Sequence, residues 1–424
     1  MSPVPRHLLP ETSAERADGS LEIGGVSTLD LAAQYGTPLF VYDEQHLRSR
    51  CREAVTSFGA DRVVYATKAF LCRAMARLVH EEGLMLDVAT SGELFVALSA
   101  GVPASRCVLH GNNKSLDELR FAITSGVHHI NVDSFDELDR LDTLHREGLP
   151  VPRVALRITP GVEAHTHEYI ATGQDDSKFG FNLANGDAAR AVSQADRSPS
   201  VELMGLHCHI GSNVFAVSSF ARAAEVMAAF AAPYDLPELT LGGGLGVAYV
   251  EGEQAPSISE WATVLLDACR SLGVRSAITV EPGRSIVANA AVTLYSVGTI
   301  KDIPGVRSYL SVDGGMSDNP RPVLYGSGYE AFLPRAWGAD RVRAVRVVGK
   351  HCESGDILIN DAMVPADTAV GDVLAMPVTG AYGYSMSSNY NMVGKPAVVF
   401  VRDGKSRLVL RRQTHEDLVA LDID

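Results

Sequence analysis

Short apolar segments alternate with amphipathic segments between residues 63 and 282. Eight of the apolar segments are rich in β-branched and aromatic residues, which is typical of buried strands. Most intervening segments have apolar residues at helical spacing, and some begin with a Ser-x-x-Glu capping box, as at Ser115 and Ser134. The pattern predicts a (β/α)8 barrel of the TIM type. The predicted strands are Val63–Thr67, Leu84–Val88, Cys107–His110, His129–Val132, Val154–Ile158, Leu203–His207, Leu239–Leu241 and Ala277–Val280.

The pattern changes after about residue 286, where strand-like segments follow one another without comparable helices. Gly, Pro and Asp separate them, which indicates a mainly β domain. The segment Leu21–Tyr42 precedes the barrel and can join that β domain. We predict an N-terminal segment over 1–40, a barrel over 41–286 and a C-terminal β domain over 287–424. The predicted β-domain strands are Ala291–Ile300, Tyr309–Val312, Val342–Val348, Val373–Met376, Ala397–Val401 and Leu408–Arg411.

The composition narrows the range of functions without selecting one. A formal net charge of −14 argues against a protein that binds the phosphate backbone of nucleic acid. No apolar run reaches the length of about 18 residues that a membrane-spanning helix needs. The first thirty residues are acidic and lack the apolar core of a secretory signal, and the six cysteines lack CxxC spacing. Together these features predict a cytoplasmic protein with reduced cysteines.

Lys68 stands at the end of the first predicted barrel strand. A lysine in this place is unusual, because a buried ammonium is costly unless it is paired. We expect Lys68 to be partly buried, and partial burial makes an amine a better nucleophile that can form a Schiff base. The alternative is a lysine whose stem lies along the strand end while its ammonium reaches water.

Other chemically active residues fall at the ends of the remaining predicted strands. In barrels of this type the active site lies at the carboxyl ends of the strands. Chance placement would not concentrate ionisable residues there, so one polar site is predicted at that end. The residues are Asp87, His110, Arg157, His207, His209 and Glu281, in addition to Lys68.

The run Gly242-Gly-Gly-Leu-Gly246 follows the seventh predicted strand. A glycine backbone can approach an anion closely and point its N–H groups at it, and barrels often bind phosphate near the loops after strands 7 and 8. A tight strand–helix turn would also explain the run. Beside it, Glu281 could keep a pyridine nitrogen protonated through a charge-assisted hydrogen bond. A lysine, a phosphate cradle, a histidine packed on a ring and an acidic ring partner together predict pyridoxal 5′-phosphate.

A metal centre is the alternative for His207 and His209, which are two residues apart. On a strand their side chains would line one face, without the carboxylate or thiolate partners of a closed site. No metal is therefore predicted.

The chain resembles the fold-type III pyridoxal-phosphate decarboxylases, and most closely the diaminopimelate decarboxylase family. The resemblance runs nearly end to end, from Pro38-Leu-Phe-Val-Tyr42 to Asn389-Tyr-Asn391, and implies an alanine racemase-like architecture. The motifs that carry it are Tyr65-Ala-Thr-Lys-Ala69, Ser91-Gly-Glu-Leu94, Ser177-Lys-Phe-Gly180, His209-Ile-Gly-Ser212, Gly242-Gly-Gly-Leu-Gly246, Glu281-Pro-Gly-Arg284, Asp313-Gly-Gly-Met316, Arg321-Pro-Val-Leu-Tyr325, Cys352-Glu-Ser-Gly-Asp356 and Gly380-Ala-Tyr382.

The resemblance implies a role for each matching residue. Lys68 holds the cofactor as a Schiff base, and Cys352 returns a proton to the substrate carbon. Glu353 recognises the distal amino group, and both Cys352 and Glu353 come from the other protomer of a homodimer with shared active sites. The residues implied in cofactor binding are Lys68, Asp87, His209, Ser212, Gly244, Glu281, Gly283, Arg284 and Tyr382. Those implied in substrate binding are Arg284, Arg321, Tyr325, Glu353 and Tyr382.

The resemblance implies decarboxylation of meso-2,6-diaminoheptanedioate to L-lysine and CO2, the last step of lysine biosynthesis. Other amino-acid decarboxylases of this fold, of the ornithine, arginine or carboxynorspermidine type, and an alanine-racemase-like enzyme remain alternatives. Two non-enzymatic alternatives also remain: a decarboxylase-like regulator without cofactor and a single-barrel cofactor-binding protein. Glu353 favours the first activity, because its carboxylate suits a distal ammonium.

Overall fold

A computed structural model describes residues 3–162 and 173–423 of the chain. The chain divides into two compact units. The first, which we call the β unit, comprises Met1–Ser49, Val247–Gln254 and Ile286–Asp424, and the second, the barrel unit, comprises Arg50–Gly246 and Ala255–Ser285. No helix in the described part of the chain is long and apolar enough to cross a membrane.

The strands and helices of the described residues are numbered in chain order. The strands are β1 Ala14–Glu15, β2 Leu21–Ile23, β3 Val26–Ser27, β4 Leu39–Asp43, β5 Val64–Ala66, β6 Met85–Val88, β7 Cys107–Leu109, β8 His129–Val132, β9 Arg153–Thr159, β10 Phe181–Asn182, β11 Glu202–Cys208, β12 Glu238–Thr240, β13 Ala277–Thr279, β14 Ala291–Ile303, β15 Arg307–Val312, β16 Arg343–Val348, β17 Ile357–Val364, β18 Val373–Pro377, β19 Ala397–Arg402 and β20 Lys405–Leu410. The helices are α1 Thr28–Tyr35, α2 Glu44–Phe58, α3 Arg73–Glu81, α4 Ser91–Ser99, α5 Leu116–Ser125, α6 Phe135–Arg146, α7 Asp187–Arg197, α8 Val217–Ala231, α9 Ile258–Ser271, α10 Arg284–Val287, α11 Arg321–Tyr325 and α12 His415–Leu418.

The barrel unit contains the predicted parallel barrel. Its strands follow the order β5-β6-β7-β8-β9-β11-β12-β13, each parallel to its neighbours, with β10 paired to β9 alone. A parallel bridge between Val63 and Val280 joins the first and last strands, and Val64 N–H donates to the Val280 carbonyl at 2.9 Å. The prediction of a (β/α)8 barrel is confirmed, and its carboxyl strand ends lie around one mouth.

Local capping signals at two predicted helix starts behave differently. Ser115 begins α5 with a reciprocal capping box, since its hydroxyl accepts from Glu118 N–H and the Glu118 carboxylate accepts from Ser115 N–H. At Ser134 half of the predicted box forms, because the Glu137 carboxylate turns instead to the Lys114 ammonium, 2.8 Å away. Both members of this ion pair are buried, and their mutual attraction offsets part of the free-energy cost of removing the two charges from water.

The β unit is built on a mixed sheet of order β17-β16-β15-β14-β4-β19-β20, with β18 also paired to β14. The N-terminal strand β4 lies between β14 and β19, antiparallel to the first and parallel to the second. All five β4 side chains are buried, which explains its nearly unbroken apolar character. The strand β17 was missed by the sequence analysis, because adjacent polar residues, Asn360 and Asp361, interrupt its apolar pattern.

Candidate active site

Lys68 follows β5 in a short 3-10 turn, Thr67–Ala69, at the carboxyl end of the barrel. The prediction that Lys68 is partly buried is wrong: the residue is exposed, while Thr67 and Ala69 on either side of it are buried. The turn accounts for this, because it directs successive side chains differently from a strand. The Lys68 charge is nevertheless within electrostatic reach of His209, whose pKa it helps to lower.

Glu281 is a buried carboxylate at the carboxyl end of the barrel, and it follows β13 by two residues. His207 Nε2 lies 2.9 Å from its Oε2 atom, and His110 Nε2 lies 3.1 Å from its Oε1 atom. Burial alone would raise the pKa of Glu281, but the two histidines together hold it well below its ordinary value. The side chain is therefore a carboxylate, able to accept a further hydrogen bond from a cationic partner.

The pKa values of the two histidines beside Glu281 shift in opposite directions. Burial would lower the pKa of His110, but Asp87 and Glu281 outweigh burial and raise it. The Asp87 carboxylate lies 3.7 Å from His110 Nε2. Burial lowers the pKa of His207 despite its contact with Glu281. The same carboxylate thus contacts one imidazole whose pKa is raised and one whose pKa is lowered.

Arg157, near the end of β9, is held by two contacts on one side of the barrel. Its Nε atom lies 3.8 Å from Asp133 Oδ1, and its guanidinium lies 4.3 Å from the centre of the Phe179 ring. Gly180 N–H donates to the other Asp133 oxygen at 3.0 Å. The sequence motif Ser177-Lys-Phe-Gly180 is therefore attached to the barrel through Asp133 and Arg157.

His209 follows β11 and is connected to the glycine run. Its Nδ1 atom accepts from Gly243 N–H at 3.2 Å. Burial, and after it the Lys68 charge, hold the pKa of His209 well below its ordinary value. His209 is therefore a neutral imidazole with its proton on Nε2, a flat and uncharged surface suited to packing on a ring.

The glycine run approaches its neighbours so closely that side chains would not fit. A Cβ added to Gly243 would lie 1.9 Å from the Glu281 carbonyl oxygen, and one added to Gly244 would lie 2.0 Å from the Gly211 oxygen. Gly244 also has φ +106°, in the region that favours glycine. These contacts show that the run is needed for a close backbone approach.

Arg284 and Ser212 lie on the same side of the mouth as the glycine run. The buried Arg284 guanidinium donates from Nη2 to Ser212 Oγ at 2.9 Å. A Cβ added to Gly283 would lie 3.0 Å from the Ala66 Cβ, directly before the turn that carries Lys68. The barrel unit thus brings together every predicted cofactor residue that it contains: Lys68, Asp87, His209, Ser212, Gly244, Glu281, Gly283 and Arg284.

In the β unit, Arg321 begins α11 and is almost completely buried. Its guanidinium lies 4.2 Å from the centre of the Tyr249 ring and donates to Tyr329 Oη at 2.5 Å. Burial would lower the pKa of Arg321, but Tyr249, Tyr329 and Tyr382 together raise it. The result is a permanently charged, planar group of the kind that binds carboxylates in two-point fashion.

Cys352 lies in an exposed turn between β16 and β17, and hydrogen bonds hold its own N–H and the preceding residue. Its N–H donates to Asn391 Oδ1 at 3.1 Å. The preceding residue, His351, is buried, and its Nε2 atom lies 2.8 Å from Ser317 Oγ. His351 N–H also donates to the buried Asp356 carboxylate at 2.9 Å. The turn is therefore well defined although the thiol itself is exposed.

The remaining predicted substrate residues also belong to the β unit. Tyr325 ends α11 and is half-buried, and Tyr382 is half-buried with φ +61°. Glu353 is exposed next to Cys352. The predicted roles of these residues stay predictions.

The arrangement can be compared with the requirements of a metal and of pyridoxal 5′-phosphate. Among the described residues, His110, His207 and Glu281 place three potential metal-ligand atoms within 4.8 Å of one another. His207 and His209 do not form a pair of metal ligands, because His209 Nδ1 accepts a hydrogen bond from Gly243 N–H. The donor set fits pyridoxal 5′-phosphate: an amine, a buried carboxylate held ionised, a neutral imidazole, and a glycine cradle beside a guanidinium and a hydroxyl.

Several residues at the site were missed by the sequence analysis. Asn131, Tyr249, Tyr329 and Asn391 each contact a predicted site residue. Asn131 lies one residue before the end of a barrel strand, close to the mouth, and this position is a signal that could have identified it. Tyr249 and Tyr329 lie in irregular segments, and Asn391 lies in the short 3-10 helix Tyr390–Met392, where local sequence gives no comparable signal.

Known proteins resemble this chain over nearly its full length. The family model described as pyridoxal-dependent decarboxylase, pyridoxal binding domain, matches residues 44–288. A diaminopimelate decarboxylase from Corynebacterium efficiens is 47% identical over 99% of this chain and 95% of its own length. One from Bacillus subtilis is 47% identical over 97% of both chains. The crystal structure of the diaminopimelate decarboxylase from M. jannaschii in complex with L-lysine has a TM-score of 0.91 at 32% identity and covers 98% of both chains.

Proposed function

This chain belongs to the diaminopimelate decarboxylase family of pyridoxal-dependent decarboxylases, and we propose that it converts meso-2,6-diaminoheptanedioate into L-lysine and CO2. This reaction would be the last step of lysine biosynthesis. The observation that carries the proposal is the barrel mouth itself, where Lys68, the glycine cradle and an ionised Glu281 surround one space. The named activity of the relatives and the L-lysine bound to one of them support the choice of substrate.

We propose that the barrel, predicted over 41–286, holds the cofactor. Lys68 would bind its aldehyde carbon, and Ser212, Gly244, Gly283 and Arg284 would bind its phosphate. When bound, pyridoxal 5′-phosphate supplies a conjugated ring that accepts the electron pair left by the departing carboxylate. Glu281 would hold the proton on the ring nitrogen, because its depressed pKa keeps it negative at neutral pH. Asp87 and His110 complete this charged surface, and the neutral His209 would pack on the ring face.

The β domain, predicted over 287–424, would supply the residues that select and protonate the substrate. The buried, charged Arg321 suits a substrate carboxylate, with Tyr325 and Tyr382 as further hydroxyl donors. Glu353 offers a carboxylate for the distal ammonium. Cys352 would deliver a proton to the substrate carbon after CO2 leaves, since a thiol near neutral pH is a competent proton donor.

We further propose a homodimer in which Cys352 and Glu353 act on the substrate held by the other protomer. A cytoplasmic location is also proposed, because all six cysteines are free, five of them buried.

The Schiff base at Lys68 can be tested by absorbance. Wild-type protein purified with pyridoxal 5′-phosphate should show the absorbance band of covalently bound cofactor, and Lys68→Ala should lose both this band and decarboxylation. Lys405→Ala, at an exposed lysine in β20, is the matched control and should keep both. An unchanged spectrum in Lys68→Ala would rule out the assignment.

Substrate choice can be tested by product analysis. The wild-type protein should release L-lysine from meso-2,6-diaminoheptanedioate and no putrescine from ornithine. Glu353→Gln should raise KM more than it lowers kcat, because it weakens recognition of the distal ammonium. Preferential release of putrescine would favour the ornithine-type alternative, and cofactor-free protein without any lyase activity would favour a regulator.

The shared site can be tested by mixing two inactive variants. In a dimer with shared sites, co-expressed Lys68→Ala and Cys352→Ala chains should regain about one quarter of wild-type activity, because half of the dimers contain one intact site. The control pair, Lys68→Ala with Glu281→Ala, should regain none, since both residues lie in the same barrel unit. Absence of recovery in the first pair would show that Cys352 acts within its own chain.

A further inference from the structure

Three buried polar atoms on the barrel strands β8 and β11 have no hydrogen-bond partner among residues 3–162 and 173–423. These atoms are His129 Nε2, Asn131 Oδ1 and His207 Nδ1. Their residues are only 2%, 2% and 1% exposed. A buried polar atom without a hydrogen-bond partner is destabilising and uncommon in folded proteins, so three of them in one core require an explanation.

The three side chains that carry these atoms all lie near His110. His129 and Asn131 are two residues apart on β8 and therefore face the same side of the barrel wall. The Asn131 amide contacts His110 Nε2 at 2.8 Å, and the rings of His110 and His207 are 5.1 Å apart between centroids. His129 is close enough to His110, His207 and Glu281 that all three affect its pKa, after burial and the adjacent His128.

The proton positions define what the missing partner must offer. A neutral His207 can donate to the Glu281 carboxylate, which only accepts, when its single ring proton lies on Nε2. His207 Nδ1 is then a lone-pair acceptor that needs a donor. His129 is also neutral, and its Nδ1 atom is already 2.8 Å from His128 Nδ1. A partner that both donates and accepts would satisfy the whole set, and water does so with two to four hydrogen bonds.

We propose that an internal water molecule binds between His129, Asn131 and His207, and that the water fixes His207 in the form that donates to Glu281. His129 and Asn131 are then positioning residues, which act on Glu281 through His207. The water site is a property of the chain alone, whereas its effect on cofactor binding rests on the proposed function. Hydrogen-bond partners behind an imidazole commonly hold it in one tautomer in this way.

The first test is a high-resolution crystal structure of the cofactor-free wild-type protein. The expected result is a water molecule within about 3.2 Å of at least two of the three atoms. A dry site, or direct contacts between the three side chains, would overturn the proposal. This measurement needs neither cofactor nor activity, so its outcome does not depend on the reaction.

The second test compares His129→Phe with the conservative His129→Gln, whose amide can still bind the water. Ring nitrogen-15 chemical shifts of cofactor-free protein should report the Nε2–H tautomer of His207 in wild type and His129→Gln, and a tautomer mixture in His129→Phe. The dissociation constant of pyridoxal 5′-phosphate should rise about tenfold in His129→Phe only. Leu144→Ala, in the buried face of α6, is the control for lost stability and should leave the tautomer and affinity unchanged.

The outcomes separate the proposals. An unchanged His207 tautomer and affinity in His129→Phe would overturn the water bridge, even if that variant loses as much stability as Leu144→Ala. A changed tautomer in His129→Phe, combined with a wild-type protein that binds no cofactor, would instead contradict the proposed function and leave the water site supported.

Discussion

Replacement of Gly244 by alanine tests whether the glycine run is a close-fitting cradle. A Cβ at this position would lie 2.0 Å from the Gly211 carbonyl oxygen and 3.7 Å from His209 Cε1. The oxygen belongs to the backbone, so the overlap can be relieved only if one of the two loops moves. Because His209 and Ser212 flank Gly211 in the chain, that movement would disturb the predicted ring and phosphate contacts.

The cost has two parts that a control can separate. Alanine at φ +106° costs about 1–2 kcal/mol for the left-handed backbone, and relief of the overlap adds about 1–3 kcal/mol. Gly148→Ala carries the first part alone, because Gly148 has φ +93° and no described atom lies within 4 Å of the place that its Cβ would occupy. We therefore expect Gly244→Ala to lose about 2–5 kcal/mol of unfolding free energy and Gly148→Ala about 1–2 kcal/mol.

Urea unfolding measures the loss of stability, and titration with pyridoxal 5′-phosphate measures the loss of cofactor affinity. Gly244→Ala should bind the cofactor at least about tenfold more weakly, whereas Gly148→Ala should bind as the wild type does. Equal stability losses in the two variants would contradict the steric overlap. Wild-type affinity in Gly244→Ala, despite lost stability, would show that the run is a tight turn and not a phosphate cradle.

Two further predictions concern buried charges in the β unit. Arg341 is 1% exposed and lies 2.9 Å from Glu251 and 2.5 Å from Glu330, so Arg341→Met should cost about 3–5 kcal/mol of unfolding free energy. Adding Glu251→Gln and Glu330→Gln should recover much of that loss in urea unfolding, and no recovery would refute the charge argument. Burial raises the pKa of Asp318 to about 7, although Tyr295 donates to it at 2.5 Å. Between about pH 4 and pH 7, Asp318 is therefore protonated in the folded state and ionised in the unfolded state. The unfolding free energy that Asp318 contributes falls as pH rises through that window, by up to about 4 kcal/mol. Thermal unfolding at pH 5 and pH 8 should show this difference in wild type and a smaller one in Asp318→Asn; equal slopes would contradict it.

The barrel could be predicted from sequence because each of its strands carries a local signal. Every predicted strand between Val63 and Val280 has a counterpart in the parallel sheet, and Lys68 and Glu281 do lie at strand ends. The exposure of Lys68 could not be predicted, since it depends on a short turn that the apolar pattern does not mark.

The contacts that set charge at the site were beyond the sequence, because they join residues far apart in the chain. His110 and His207 could each be placed at a strand end, but only barrel closure shows that both bond to Glu281. In the β unit, the contact between Arg341 and Glu251 likewise joins residues far apart in the chain. Its sequence context is that of a surface arginine, and its burial follows from two carboxylates supplied by separate segments.

The position of β4 has a consequence for how the protein is made. This strand is synthesised early, yet both of its partners, β14 and β19, come from the last part of the chain. All barrel strands leave the ribosome before β14, so the barrel can fold while both backbone edges of the apolar strand β4 are still unpaired. A nascent chain in this state is exposed to wrong strand pairing, and chaperone demand should peak between completion of the barrel and arrival of β19.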